Sequence, residues 1–137
     1  MKDVLFRINE IPHLDAITLL YEDVSWGHRD FPDMLRVAYE SSDFVISAYT
    51  QSGELIALGR AITDKAFTVY FPDLLVKKSW QNKGIGKYMM KRMLEEYKGY
   101  HNQVLIAETI QAISFYENCG FVMELHAMSI SVPFSKT

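Results

Sequence analysis

LLVKKSWQNKGIGKYMMKRMLEEY, residues 74–97, decides how this chain is read. Leu74, Leu75 and Val76 end an apolar strand-forming run, whereas Tyr88, Met89, Met93, Leu94 and Tyr97 share one face of a helix beginning near Ile85. The loop between them contains Gly84 and Gly86. Such a junction makes an anion seat: backbone N–H groups of Asn82 through Lys87 converge at the positive end of the helix, and glycines let an anion approach closely. Lys83 and Lys87 add positive charge. Two familiar phosphate motifs do not fit. A P-loop needs Gly well before the Gly-Lys pair and Ser or Thr after it, yet Gln81 and Tyr88 stand there. A dinucleotide GxGxxG needs a small third residue, and this chain has Met89.

Upstream, Val4–Ile8, Phe44–Thr50, Leu55–Thr63 and Phe67–Val76 are rich in strand formers, with a hairpin-length QSGE loop at Gly53. Pro72 cannot donate to a ladder, so it is expected at a bulge or edge where the sheet opens a gap. Pro12 opens a helical pattern through Leu14, Ile17, Tyr21 and Val24, and Ser25, Trp26 and Gly27 break it. Asp30 is the expected N-cap of a second helix through Pro32, Leu35, Ala38 and Tyr39. Downstream, Gly99 closes the long helix and Val104–Ala107 is a strand. Ala112, Phe115, Tyr116 and Cys119 then form a helical stripe stopped by Gly120, and Phe121–Val132 supplies final strands. Hairpins first and crossover helices later predict a mixed α/β sheet.

At 137 residues the chain reads as a single domain spanning 1–137. Fourteen Lys plus Arg against seventeen Asp plus Glu give a net charge of −3, which argues against nucleic acid as a partner. Cys119 is the only cysteine, so no intramolecular disulfide and no Cys-based zinc site can form. His13, His28, His101 and His126 lack ligand spacing, and no metal is expected. The charged N-terminus and the lack of the ~18 apolar residues of a spanning helix predict no membrane partner and a cytoplasmic setting.

QNKGIG (81–86), between strand and helix, resembles the Gln/Arg-x-x-Gly-x-Gly/Ala motif of the GNAT N-acetyltransferases. AISFYENCGF (112–121) is similar to that family's A-x-x-F-Y-x-x-x-G-F ending, and ELIALGRAITD followed by DLLVKKSWQ resembles the strands that lead into its cofactor motif. Together these cover residues 44–125 in the family's order. The resemblance implies a single-domain GNAT fold, a mixed and mostly antiparallel sheet flanked by helices with a splayed central strand pair. It implies acetyl-CoA as cosubstrate, no metal, and transfer of acetyl to a small-molecule primary amine by direct attack. Gln81, Asn82, Lys83, Gly84, Ile85, Gly86 and Lys87 would cradle the pyrophosphate. Leu74, Leu75 and Val76 would pair with pantetheine, the backbone N–H of Leu75 facing the thioester oxygen; as plain residues they are core aliphatics. Thr109 stands where many relatives carry Asn.

Tyr116 falls where the family has a general-acid tyrosine beside the CoA sulfur, and a phenol suits protonation of a departing thiolate. Its plain alternative is ring packing. Asp73 and Glu108 are the best-placed carboxylates for a base; as ordinary surface acids they would be solvated or ion-paired. Cys119, on an apolar stripe, reads as a small hydrophobe. By resemblance the acceptor side takes the turn between the first two helices and the strand around the bulge: Ser25, Trp26, His28, Tyr70 and Asp73, with Trp26, Tyr70 and Asp73 as substrate contacts. An aromatic wall plus an acid suits a cationic amine, while Trp26 could equally plug helix 1. Arg60 and Asp64 are candidates to pair across their turn. The rival functions are a non-catalytic acyl-CoA sensor, an enzyme acting on a protein or peptide amine, and a generic phosphate-binding module. A homodimer is compatible with the resemblance, and no segment names an interface.

Overall fold

A computed structural model describes residues 1–135 of the chain. Residues 136–137, the last two of the expected domain, lie outside the described residues. Five strands, β1 (Val4–Ile8), β2 (Phe44–Thr50), β3 (Leu55–Thr63), β4 (Thr68–Val76) and β5 (Asn102–Val104), lie in that order across one sheet. Neighbours from β1 to β4 run antiparallel and β4–β5 is parallel. The helices are α1 (Leu14–Asp23), α2 (Pro32–Glu40), α3 (Ile85–Glu96) and α4 (Ile110–Asn118), with 3-10 turns at Gly27–Asp30 and Lys78–Trp80.

Both faces of the sheet are covered, which is why β2 and β3 read as nearly continuous apolar runs. On one face Ile17, Leu20 and Tyr21 of α1 and Leu35 and Tyr39 of α2 pack over Val45, Leu58 and Leu75. On the other, Ile85, Met89, Met90 and Met93 of α3 pack over Phe44, Ile46, Ile56, Val69 and Phe71, with Tyr116, Cys119 and Phe121 at the margin. The inward stripe of α3 takes Met90 rather than Tyr88, which is half exposed and lies against Phe6 of the edge strand.

Pro72 sits where sequence placed it, at a bulge. Arg60 lies opposite Asp73 and Ile62 opposite Tyr70, so β4 spends one more residue than β3 across the irregularity. One extra residue reverses the side-chain alternation: Val69 and Phe71 face α3, whereas Leu75 faces α1 and α2. The sheet also opens here. β5 pairs with β4 only at Thr68, Val69 and Tyr70, and among the described residues no strand accompanies β4 on that side beyond them.

Three expectations change. The fifth strand is Asn102–Val104, and Leu105–Ala107 has left the sheet. Phe31, not Asp30, holds the N-cap position of α2, because Asp30 belongs to the preceding 3-10 turn and Pro32 occupies the first helical turn. The expected strands over Phe121–Val132 do not form. Met128, Ile130 and Val132 keep strand-like alternation but are more than four-fifths exposed. A strand needs an edge to satisfy its backbone, and β5 offers one only three residues long.

Candidate active site

The loop leading into α3 is shaped by left-handed backbone at Asn82 (φ 62°) and Gly84 (φ 85°). Gly84 occupies the N-cap position of α3, no side chain caps this helix among the described residues, and its first turn carries no acid. The amides of that turn therefore face outward at the positive helix end. Gly86 allows close approach: a Cβ there would lie 3.3 Å from the Phe115 ring and 3.5 Å from Val76. Lys83 and Lys87 are exposed beside it, Lys83 with its ammonium 6.0 Å from the Trp80 ring centre. This arrangement fits a pyrophosphate.

The open edge of β4 continues from that loop. The Lys77 amide donates to the Ile56 carbonyl of β3 at 2.7 Å, so by strand alternation the Leu75 amide also points into β3. Leu74 and Val76 point the other way, toward the opening. Gln81 Nε2 donates to the Val76 carbonyl at 2.9 Å from that side. The Leu75 amide, expected to face the thioester, therefore faces β3, and the amide toward the opening is that of Leu74; the signal that could have found this is the parity of the strand counted from its β3 contacts.

Tyr116 of α4 packs its ring against Phe115 and Phe121 at the margin of the core beneath α3. Burial pushes its phenol up to about 12, and Cys119 and Asp73 add to the shift. Tyr116 thus stays protonated throughout the neutral range. Burial also raises the Cys119 thiol, with Lys87 working against the shift. Thr109 accepts the Ala112 amide at 3.0 Å as the N-cap of α4, so its hydroxyl serves the helix.

Asp73 is one of the few buried charges, 5% exposed, and Arg60 Nε donates to its Oδ2 at 2.6 Å. Arg60 therefore pairs with Asp73 and not with Asp64, whose carboxylate instead accepts the amides of Ala66, Phe67 and Thr68 in the β3–β4 turn. Burial works against the Arg60 charge, but Asp73 outweighs it and holds the guanidinium more firmly protonated than usual. The guanidinium lies 5.5 Å from the Tyr39 ring, and Tyr39 and Tyr21 share a hydrogen bond at 2.7 Å between hydroxyls. Burial foremost raises both phenols. Tyr21 in turn contacts Trp26 and His28 in the α1–α2 turn.

The structure therefore joins Trp26, His28 and Asp73 through Tyr21, Tyr39 and Arg60, three residues with no sequence motif to announce them. Burial raises the Tyr70 phenol and both Asp73 and Glu108 add to it, which places Tyr70 near the two carboxylates. Glu108 is exposed, and among the described residues no cation holds it. Ser25 is exposed in the turn with φ 63°.

Comparison with known proteins agrees with this geometry. A family model described as an acetyltransferase (GNAT) domain matches residues 40–123. The chain is 30% identical over 124 residues to GCN5-related N-acetyltransferase 1, chloroplastic, of Arabidopsis thaliana, covering 88% of this chain and 62% of that protein. It is 34% identical over 118 residues to Serotonin N-acetyltransferase 2, chloroplastic, of Oryza sativa, covering 82% of this chain and 58% of the relative. The chain thus spans about three-fifths of these two proteins. Among solved structures, a GNAT-family acetyltransferase of Streptococcus pneumoniae superposes with a TM-score of 0.78 at 26% identity, covering 98% of this chain and 99% of that one. A Staphylococcus aureus protein at 20% identity shares the fold with a TM-score of 0.83 over 96% and 99% of the two chains. An uncapped, glycine-shaped helix entry and a strand edge left open by an early-ending neighbour fit these relationships: the chain belongs to the GNAT acetyltransferase family.

Proposed function

We propose that this enzyme acetylates the primary amine of a small molecule, with acetyl-CoA as donor, by direct attack and without a covalent enzyme intermediate. The observation that carries the reading is the β4 edge beyond Tyr70, which no strand covers among the described residues, followed within one short loop by the uncapped first turn of α3. Acetyl-CoA supplies an activated acyl group there. Asn82 through Lys87 hold the pyrophosphate by backbone amides, with Lys83 and Lys87 as counter-charges. Leu74 and Val76 offer strand-like pairing to the pantetheine arm, and the Leu74 N–H faces the oxygen on which negative charge develops. Tyr116 holds the proton that a departing thiolate requires.

Asp73, fixed by Arg60, contributes its charge to the acceptor side rather than taking a proton, because protonating it would leave Arg60 buried without its partner. Glu108, exposed near Tyr70, receives the acceptor's proton through water. Trp26 and Tyr70 give the aromatic wall against which a cationic amine waits. The name of the rice relative, Serotonin N-acetyltransferase 2, supports a small amine. A protein amine is the second reading, supported by Histone acetyltransferase TAP1 of Glycine max, 28% identical over 114 residues.

The test is calorimetric titration with acetyl-CoA followed by a thiol-release screen over small amines and lysine peptides. Saturable binding with release on a small amine is the expected result. Release only on peptides would move the acceptor to the second reading, and binding without release on any acceptor would make the protein an acyl-CoA sensor. Tyr116→Phe should lower kcat roughly 10- to 100-fold, as loss of a general acid does, with acetyl-CoA affinity unchanged. Because the native phenol titrates near 12, above its ordinary 10.0, Tyr116 should cause no basic limb in kcat below pH 10. The same sign makes this phenol's contribution to stability complete below pH 10.0 and lost as pH climbs through about 12, readable by alkaline unfolding.

A further inference from the structure

Leu74 and Leu75 are consecutive and identical, yet they face opposite ways. Leu75 belongs to the core beneath α1 and α2, whereas Leu74 packs on the α3 side, where a Cβ on Gly59 would come within 3.2 Å of its Cδ1. Their amides alternate with them: that of Leu75 points into β3 and that of Leu74 to the opening. The bulge alone produces this arrangement. A bulge-free ladder continuing from the Ile62–Tyr70 pair would set Pro72 opposite Arg60, Asp73 opposite Gly59 and Leu74 opposite Leu58, and would turn the Leu74 amide into β3.

Hydrophobic patterning does not choose between these two registers. In the bulge-free ladder Leu74 takes the place of Leu75 and Leu75 that of Val76, so apolar side chains replace apolar side chains on both faces. Among residues 73–76 only Asp73 tells the faces apart. In the bulged register it is 5% exposed, stands directly opposite Arg60 and accepts from Arg60 Nε at 2.6 Å. In the other it would lie over Gly59 against Ile46 and Met93, which offer a carboxylate no donor, and Arg60 would be left buried without its partner. Pro72 adds a smaller bias, because opposite Arg60 it would have no N–H for the ladder.

We propose that the Arg60–Asp73 pair holds β4 in the bulged register and that Arg60 is thereby a positioning residue for the Leu74 amide, acting through Asp73 and not on the reacting atoms. Choosing one register is the best-attested use of a buried polar group, whose net stabilisation over apolar replacements is small. The role in transfer rests on the reading that the Leu74 amide serves the thioester.

The test is amide hydrogen exchange read residue by residue by NMR on the unliganded chain. In the parent the Leu75 amide should exchange about a hundredfold or more slowly than that of Leu74, because one is bonded to β3 and the other faces the opening. Pro72→Ala, which removes the proline and keeps the pair, should leave that ratio in place. Adding Arg60→Met and Asp73→Leu replaces the pair by apolar residues, which should hold the thermal midpoint but bring the ratio below about tenfold as the two registers mix. Carbonyl-labelled acetyl-CoA gives a second reading. The resonance of its bound thioester carbonyl should be displaced from that of the free ligand in the parent and in Pro72→Ala, and the displacement should shrink in the triple variant.

Leu74 exchanging as slowly as Leu75 in the parent, a ratio lost in Pro72→Ala alone or a ratio kept in the triple variant would overturn the proposal. So would an unfolded triple variant, which would make the pair's role stability and not register, or a carbonyl displacement that persists when the ratio is lost. Failure of the transfer reading would appear separately: acetyl-CoA would not bind, or would bind without thiol release to any amine, while the exchange ratios still followed the pair.

Discussion

The two sides of the β4 opening are built by opposite means. The proposed donor side is contiguous: residues 74–87 carry the strand edge, the turn and the helix entry in one stretch, and the atoms assigned to it are mostly backbone amides. The proposed acceptor side is assembled from α1, the α1–α2 turn, α2, β3 and the β4 bulge, and the atoms assigned to it belong to side chains. A backbone site depends on conformation, so glycines and left-handed angles specify it locally. A side-chain site depends on which elements the core brings together. The first tolerates change in most side chains but not in its glycines, and the second is sensitive at every member of its chain of contacts.

The sharpest way to break the comparison is at the buried pair. Asp73→Asn leaves the Arg60 guanidinium buried without its carboxylate and should cost about 3 kcal/mol or more of stability, read as a drop in thermal midpoint. The double variant Asp73→Asn with Arg60→Met should recover most of that loss, because it removes the stranded charge. Equal losses in the single and double variants would show that the pair is not coupled and that the acceptor side is not a network.

Gly86→Asp strikes the other side. It adds a side chain against Phe115 and Val76 and a negative charge at the anion seat. A loss of about 2 to 3 kcal/mol in acetyl-CoA affinity is expected from a spoiled charged contact, with little change in thermal midpoint. Unaltered affinity by calorimetry would remove the pyrophosphate from this loop.

Thr109→Ala gives the smallest effect. Losing the bond to the Ala112 amide should lower stability by about 1 kcal/mol while leaving kcat intact. A fall in kcat without a fall in stability would mean that the hydroxyl serves the substrate and not the helix.

The comparison also explains how far the sequence could be read. Strands Val4–Ile8, Phe44–Thr50 and Leu55–Thr63 follow directly from local composition, and the Gly84–Gly86 loop announces its chemistry by spacing. Pro72 marks the bulge because a missing N–H leaves it few other places in a sheet. That the Leu75 amide faces β3 and not the opening is hidden from the sequence, because apolarity says nothing of which way an amide points; only the pairing of Lys77 with Ile56 sets that parity. Arg60 pointed in sequence to nearby Asp64, but the bulge turned Asp73 onto its face of the sheet. The Phe121–Val132 stretch has strand chemistry without a strand, since a ladder is a property of two segments and not of one.

Sequence by itself determined the family, the mixed α/β character and the anion loop, because each rests on periodicity, glycine placement and short-range order along one stretch of chain. Tertiary structure alone decided the buried Arg60–Asp73 pair with its tyrosine link, the direction of the Leu74 amide and the seating of Phe134 on Gly27. Those features depend on strand register and on which helix covers which face, and such contacts join residues far apart in the chain.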